Sequence, residues 1–370
     1  MRVALELQPC CGNRSGIGMY TYELAKRMRD QDGLEFCGNL FNFAGRNDTS
    51  EALQGISMPV RENRMLDYGV YRRIWNLLPV TYQQMFPESD ITVCFDYIVP
   101  PRIKGKVITT IHDLTYLRYP ETMEQRNLKR ICQGIGYSIE RSDRIIAVSE
   151  FTKREICTLL DVPEEKISVI YNAPAELEAD CGRMEPPVIH GPYILFVGTI
   201  EPRKNLIRLI KAYTMLREKE RIPHKLVLAG GLGWNHDAIQ QAAQESKYCD
   251  DILFTGYVSI EKKRSLYQYA DAFVFPSVYE GFGIPPLEAM SFGCPVVCAD
   301  AASLPEVAGD AAEYVDPADS EQIAEGIFRV ISDREYVRSL IQNGYERVKK
   351  FTWEESAQRF VKECKSVLDE

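Results

Sequence analysis

The sequence predicts an α/β protein built from two doubly wound, Rossmann-like domains, and three observations predict it. Short β-branched runs alternate with longer helical patterns from end to end. Most of those runs are continuously apolar rather than alternating, as parallel strands covered by helices on both faces must be. The rhythm breaks once, at residues 172–192, "NAPAELEADCGRMEPPVIHGP", where Pro, Gly and acidic residues crowd together without periodicity. At 370 residues the chain also exceeds what one ordinary core organises.

Taken in order, the predicted strands of the first half are "VALEL" (3–7), "DITVCF" (90–95), "KVITTI" (106–111) and "RIIAV" (144–148). Those of the second half are "YILFVG" (193–198), "KLVLAG" (225–230), "DILFTG" (251–256), "DAFVFP" (271–276), "PVVCA" (295–299) and "AEYVD" (312–316). Helical stripes separate them: Leu206, Leu209, Ile210, Tyr213 and Leu216 recur at helical spacing. The expected boundaries are a first domain at 1–175, a linker at 176–192, a second domain at 193–350 and a closing helix at 351–370. Thr352 and Glu355 form a capping box for that helix, which is expected to pack back on the first domain. In open parallel sheets ligands bind beyond the carboxyl ends of the strands, so two such domains facing each other would hold a ligand in the cleft between them.

Composition narrows the function. An apolar fraction of 45% with 26% charged residues is that of a soluble globular protein, and a net charge of −9 argues against a nucleic-acid partner. The apolar run at the N-terminus is too short for a signal peptide, and no run is long enough to cross a bilayer. Eleven cysteines occur without paired CxxC spacing, which fits a reducing cytoplasm; Cys294 and Cys298 read as buried thiols. Four histidines without HxxxH or paired-acid spacing give no protein metal site.

Four stretches at strand ends carry chemistry. "NRSGIGMYTYELAKRM" puts Gly16 and Gly18 at a helix start, where free amides favour an anion; a tight strand-to-helix turn explains them equally well. "IHDLTYLRYPE" brings His112 out at the end of a strand, with Asp113 beside it as a cap. "GTIEPRKNLIRLI" places Arg203 and Lys204 at a helix start, where cations face the unfavourable end of the dipole unless an anion binds there. "SVYEGFGIPPLEAMSFG" sets Glu280 and Glu288 around Gly281, Phe282, Gly283 and a Pro285–Pro286 pair suited to opening a helix. A capping acid and a solvated acid would explain each carboxylate singly. They leave the combination with two glycines and two prolines unexplained.

These residues resemble a known family. "EGFGIPPLEAMSFGCPVV" is similar to the Glu-x7-Glu motif of family-four retaining glycosyltransferases of the GT-B fold. "SGIGMYTYEL", "TIHDLTYLRYPE", "SDRIIAVSEFTKREI", "ISVIYNAP", "FVGTIEPRKNL", "LYQYADAFVFPSVYEGFG" and "SLPEVAGDAAEYVDPAD" have counterparts in the same order. The "GTIEPRKN" spelling resembles bacterial mannosyltransferases of surface polysaccharides.

The resemblance implies a nucleotide-sugar donor bound by the second domain, an acceptor bound by the first, and no metal. Glu280 would contact the donor hexose and Glu288 the ribose. Arg203, Lys204 and the amides of Gly16, Gly281, Phe282 and Gly283 would hold the diphosphate, and His112 would approach the donor sugar. Many members carry arginine where this chain has Thr199, so either Arg203 carries more of the phosphate load or the pocket is less cationic. GDP-mannose is the leading donor, ahead of UDP- and dTDP-sugars. The acceptor would be a glycan or a polyprenyl-diphosphate-linked glycan, in a cytoplasmic reaction. Residues 61–86 combine Arg61, Arg64, Arg72 and Arg73 with Tyr68, Tyr71, Trp75, Leu77 and Leu78. That segment suits either peripheral contact with the inner face of the plasma membrane or cover for the first domain's core. A non-catalytic two-lobed sugar binder is the rival from another class; an epimerase or a phosphorylase shares the architecture.

Overall fold

The computed structural model describes residues 1–11, 16–31, 33–75, 81–174 and 186–370. The chain divides into two compact units: Met1–Leu114 with Gln125–Asn172 and Trp353–Glu370, and Thr115–Glu124 with Ala173–Thr352. Most of the expected linker, 176–185, lies outside the described residues, as do Leu77 and Leu78.

The first unit is built on seven parallel strands: β1 (Arg2–Glu6), β2 (Glu35–Phe41), β3 (Val60–Asn63), β4 (Ile91–Cys94), β5 (Lys106–Ile111), β6 (Arg144–Ala147) and β7 (Ile167–Val169). Their order is β3-β2-β1-β4-β5-β6-β7, so the direction of winding reverses between β1 and β4. Three of these strands escape the sequence pattern. β2, "EFCGNLF", mixes Glu, Gly and Asn into its run, yet six of its seven residues are buried. β3, "VREN", is a polar edge strand, and β7 is three residues long.

The closing helix, Trp353–Asp369, belongs to this unit. Trp353 meets Tyr20 edge-on at 5.9 Å, Phe360 lies 5.6 Å from Phe95, and Ser356 donates 2.7 Å to the Tyr171 carbonyl. Burying each such large side chain stabilises by about 1.5–3 kcal/mol, so the helix is anchored by its apolar face. In residues 61–75, Tyr71 and Trp75 are buried while Arg64, Met65, Val70 and Arg73 are exposed. The aromatic face therefore covers the core and a short basic, apolar face remains outside.

The second unit has six parallel strands: β8 (Tyr193–Val197), β9 (Lys225–Ala229), β10 (Ile252–Gly256), β11 (Ala272–Phe275), β12 (Val296–Ala299) and β13 (Ala312–Val315). Their order, β10-β9-β8-β11-β12-β13, reverses between β8 and β11. All six were legible in the sequence; β8, β11 and β12 are buried throughout and β9 in all but its first residue, whereas β10 is buried only at Ile252 and β13 only at Ala312 and Val315. Residues Thr115–Glu124 cluster here rather than with the residues that precede and follow them. Trp234 donates its indole N–H to the Thr122 carbonyl, and Tyr119 packs on Tyr279 with ring centroids 5.6 Å apart.

Candidate functional site

In the second unit the site grows from the carboxyl ends of β8 and β11, the two strands flanking the reversal. β8 leads through Glu201 into a single 3-10 turn, Pro202–Lys204. Asn205 then adopts a left-handed conformation (φ 60°) and starts the helix Leu206–Glu220. The Asn205 amide donates to the carbonyls of Pro276 (3.1 Å) and Pro317 (2.7 Å), tying this turn to the end of β11. The Arg203 carbonyl in turn accepts the Val278 N–H at 3.1 Å.

Those ties bring Glu280 onto the two cations. Its Oε1 lies 2.5 Å from the Lys204 Nζ and its Oε2 2.8 Å from the Arg203 Nη1. Arg203 Nη2 also pairs with buried Glu201 at 2.8 Å, and Lys204 Nζ sits 5.0 Å over the Phe275 ring. Burial pushes the Glu280 carboxyl up, but Arg203 and Lys204 overcome it and hold the group at about 2, well below 4.5. The four charges of Glu201, Arg203, Lys204 and Glu280 cancel. A phosphate arriving at these cations competes with Glu280 for them.

The loop after Glu280 is shaped by Gly283 and Ser303. Gly283 has φ 106°, which side-chain-bearing residues rarely adopt, and a Cβ there would stand 2.6 Å from Leu304 Cδ2. Ser303 Oγ lies within donating distance of the carbonyls of Glu280 (2.9 Å) and Phe282 (2.8 Å), fixing which way these peptides turn. The helix Ile284–Ser291 follows, with proline at its first positions as the sequence predicts. It carries buried Glu288, whose Oε1 is 2.6 Å from Lys263 Nζ and whose Oε2 accepts from the Tyr267 hydroxyl at 3.0 Å. Lys263 and Tyr267 lie four apart on the helix Ile260–Tyr269, capped by Ser259, and so share one face. Sequence reasoning passed over both, and over Glu201 and Ser303. The four-residue spacing of Lys263 and Tyr267 was the available signal.

The structure thus gathers Arg203, Lys204, Glu280, Gly281, Phe282, Gly283 and Glu288 in the second unit. His112 and Gly16 lie in the first. His112 follows β5, and its Nε2 donates to the Phe95 carbonyl at 2.8 Å, because a carbonyl only accepts. Burial lowers its pKa, so the ring is neutral and Nδ1 is left as an acceptor. Tyr20, on the helix that Gly16 begins, meets the His112 ring edge-on at 4.9 Å. A Cβ at Gly16 would meet nothing within 4 Å, so packing does not demand glycine there.

Comparison with known proteins agrees with this architecture. Residues 188–347 match the "Glycosyl transferases group 1" family model, and residues 14–173 match "Glycosyltransferase Family 4". The chain is 30% identical to O-antigen chain mannosyltransferase B of Escherichia coli over 96% of its own length and 97% of that protein's. It is 31% identical to O-antigen chain mannosyltransferase RfbU of Salmonella typhimurium over 62% of each chain. Among solved structures, the Anabaena HepE complex with UDP and glucose superposes with a TM-score of 0.75 at 19% identity, covering 99% of this chain and 100% of that one. Sucrose-phosphate synthase from Thermosynechococcus elongatus superposes with a TM-score of 0.72 at 20% identity, covering 100% and 99%. The chain belongs to the family-four glycosyltransferases, and its fold is GT-B. It is therefore a glycosyltransferase, an enzyme class that moves a sugar from a nucleotide-sugar donor to a glycan acceptor.

Proposed function

We propose that this enzyme transfers mannose from GDP-mannose, with retention of configuration, to a glycan or lipid-linked glycan in surface-polysaccharide synthesis. The observation that carries the donor site is the convergence of Arg203 and Lys204 on buried Glu280 at the reversal between β8 and β11. The choice of mannose rests on the end-to-end similarity to the E. coli O-antigen mannosyltransferase.

In this reading the donor diphosphate takes over Arg203 and Lys204, aided by the turn at Gly281–Gly283, and frees Glu280 to accept from hexose hydroxyls. Glu288, steadied by Lys263 and Tyr267, holds the ribose. The cations stabilise the charge that grows on the departing diphosphate, the work a metal does elsewhere, so a chelator leaves the rate unchanged. With the donor bound Glu280 is engaged by the hexose hydroxyls, and no carboxylate is assigned as nucleophile. Attack then comes from the leaving-group face through an oxocarbenium-like transition state, and the leaving phosphate accepts the acceptor's proton. Neutral His112 offers Nδ1 to a hydroxyl of the donor sugar, and the helix start at Gly16 assists the phosphate. The exposed face made by Arg64, Met65, Val70 and Arg73 gives peripheral contact with anionic lipid at the inner face of the plasma membrane. Among the described residues, no helix is long and apolar enough to span a bilayer.

A thermal-shift screen with GDP, UDP and dTDP tests the donor, since a ligand that binds only the folded state raises the melting temperature. GDP should give the largest rise, and GDP-mannose with a mannosyl acceptor should release GDP. A larger response to UDP or dTDP replaces the donor assignment. Tight sugar binding without turnover replaces the enzyme with a binder.

A further inference from the structure

The donor chemistry uses strand ends of the second unit and leaves the helices on its sheet unassigned. Two of them, Leu206–Glu220 and Ser320–Ser332, pack side by side. Between them runs an open groove in two stretches of about 590 and about 630 Å³, joined at Met215 and Glu321, which line both. The first stretch brings together the opening turns of the two helices and the second their closing turns, so the helices run in the same direction.

The two walls carry opposite charge. Lys211 and Lys219 stand on the first helix in one stripe with Met215, at four-residue spacing, and Glu220 closes the far end. Glu321 and Glu325, again four apart, stand on the second helix, with Asp316 and Asp319 ahead of it. Arg329 is engaged elsewhere: it pairs with Glu313 at 3.2 Å and covers the Tyr336 ring at 3.9 Å. Among the described residues, Lys211, Lys219, Glu321 and Glu325 are exposed and make no ion pair. The groove holds the rows apart, so neither is neutralised from within the chain. Its floor is apolar, with Leu216 and Ala324 buried and Met215 and Phe328 half-buried.

A positive row, an apolar floor and a negative row make a surface complementary to itself. A two-fold axis laid along the helices sets the positive row of one copy on the negative row of the other, and every contact is made twice. The levels agree: Lys211 and Glu321 line the first stretch, Lys219 and Glu325 the second. A uniformly basic or acidic partner would satisfy one row and repel the other, and an apolar ligand would cover both rows without pairing either.

We propose that this face joins two copies of the chain into a symmetric dimer. Lys211 and Lys219 of each copy pair with Glu321 and Glu325 of the other, over Met215 and Phe328.

Sedimentation equilibrium of the full chain over a hundredfold range of concentration tests this. The wild-type mass should rise toward that of two chains, and added salt should weaken the dimer, since ion pairs at a rim are screened. Lys219→Glu and Glu325→Lys each set like charges against each other at two places and should raise the dissociation constant at least tenfold. The double variant restores opposite charges at that level and should return to within threefold of wild type, a recovery that misfolding does not produce. Should either single variant unfold early on heating, Lys211→Glu, Glu321→Lys and their double variant decide by the same pattern. A wild type that stays monomeric throughout overturns the dimer. So does a dimer indifferent to both reversals, or a double variant no better than the singles, and the groove then belongs to a different protein.

Discussion

Replacing Glu280 by glutamine should make the protein less stable without nucleotide and more responsive to it. The carboxylate stands 2.5 Å from Lys204 and 2.8 Å from Arg203. Held at about 2 against 4.5 when unfolded, it stabilises the fold fully above pH 4.5, and that contribution is lost as pH falls toward 2. The difference between the two values corresponds to about 3 kcal/mol. Removing one member of a buried ion pair costs roughly 3–5 kcal/mol by independent reckoning, so the two routes agree. For a unit of this size that is a fall of roughly 6–12 °C in melting temperature. GDP should restore much of it, because the diphosphate supplies the anion that glutamine does not. In wild type the same diphosphate must first displace Glu280. The GDP-induced rise in melting temperature should therefore be larger in Glu280→Gln than in wild type, and GDP affinity equal or up to about tenfold tighter, while turnover falls at least a hundredfold. Differential scanning fluorimetry, calorimetry and a GDP-release assay measure the three quantities. A variant that melts like wild type, or binds GDP more weakly while retaining turnover, would refute competition between Glu280 and phosphate for the same cations.

Glu288→Ala should weaken GDP binding at least tenfold, and Lys263→Met should weaken it in the same direction. Because the two side chains are 2.6 Å apart, the double variant should lose less than the two single losses combined. Gly283→Ala should destabilise the second unit by roughly 1–3 kcal/mol, since the residue sits at φ 106° and its new methyl meets Leu304; unchanged thermal unfolding would contradict that. Burial raises the Glu6 carboxyl to about 8, so the folded state binds a proton that the unfolded state releases above 4.5, and stability falls as pH rises between these values. Urea titrations at pH 5 and pH 8 should show Glu6→Gln gaining on wild type by several kcal/mol, with about 5 as the ceiling. A constant difference across that range would place Glu6 in a wetter environment than its burial indicates.

Legibility in the sequence followed burial. β8, β11 and β12 could be read because a parallel strand covered on both faces must be apolar throughout, and "YILFV" or "AFVF" carries that signal alone. β2 could not, because Asn39 within it is a buried polar residue facing Glu6 across the sheet. Its reason for being there lies on another strand. The motif around Glu280 singled out the candidate site because glycines, prolines and carboxylates in that order are costly without a ligand to serve. Its electrostatics were hidden: Lys204 and Glu280 are 76 positions apart, and no local pattern records that they touch.

The sequence by itself determined the class of fold, the family and the candidate site residues, since periodicity and motif are properties of neighbouring positions. Only the tertiary structure decided that Glu280 is held by its own cations and that Lys263 and Tyr267 stand behind Glu288. It alone decided that Thr115–Glu124 packs with the second unit. Each of these depends on the crossovers that bring distant strand ends side by side, and the energy of a charge depends on what has been brought beside it.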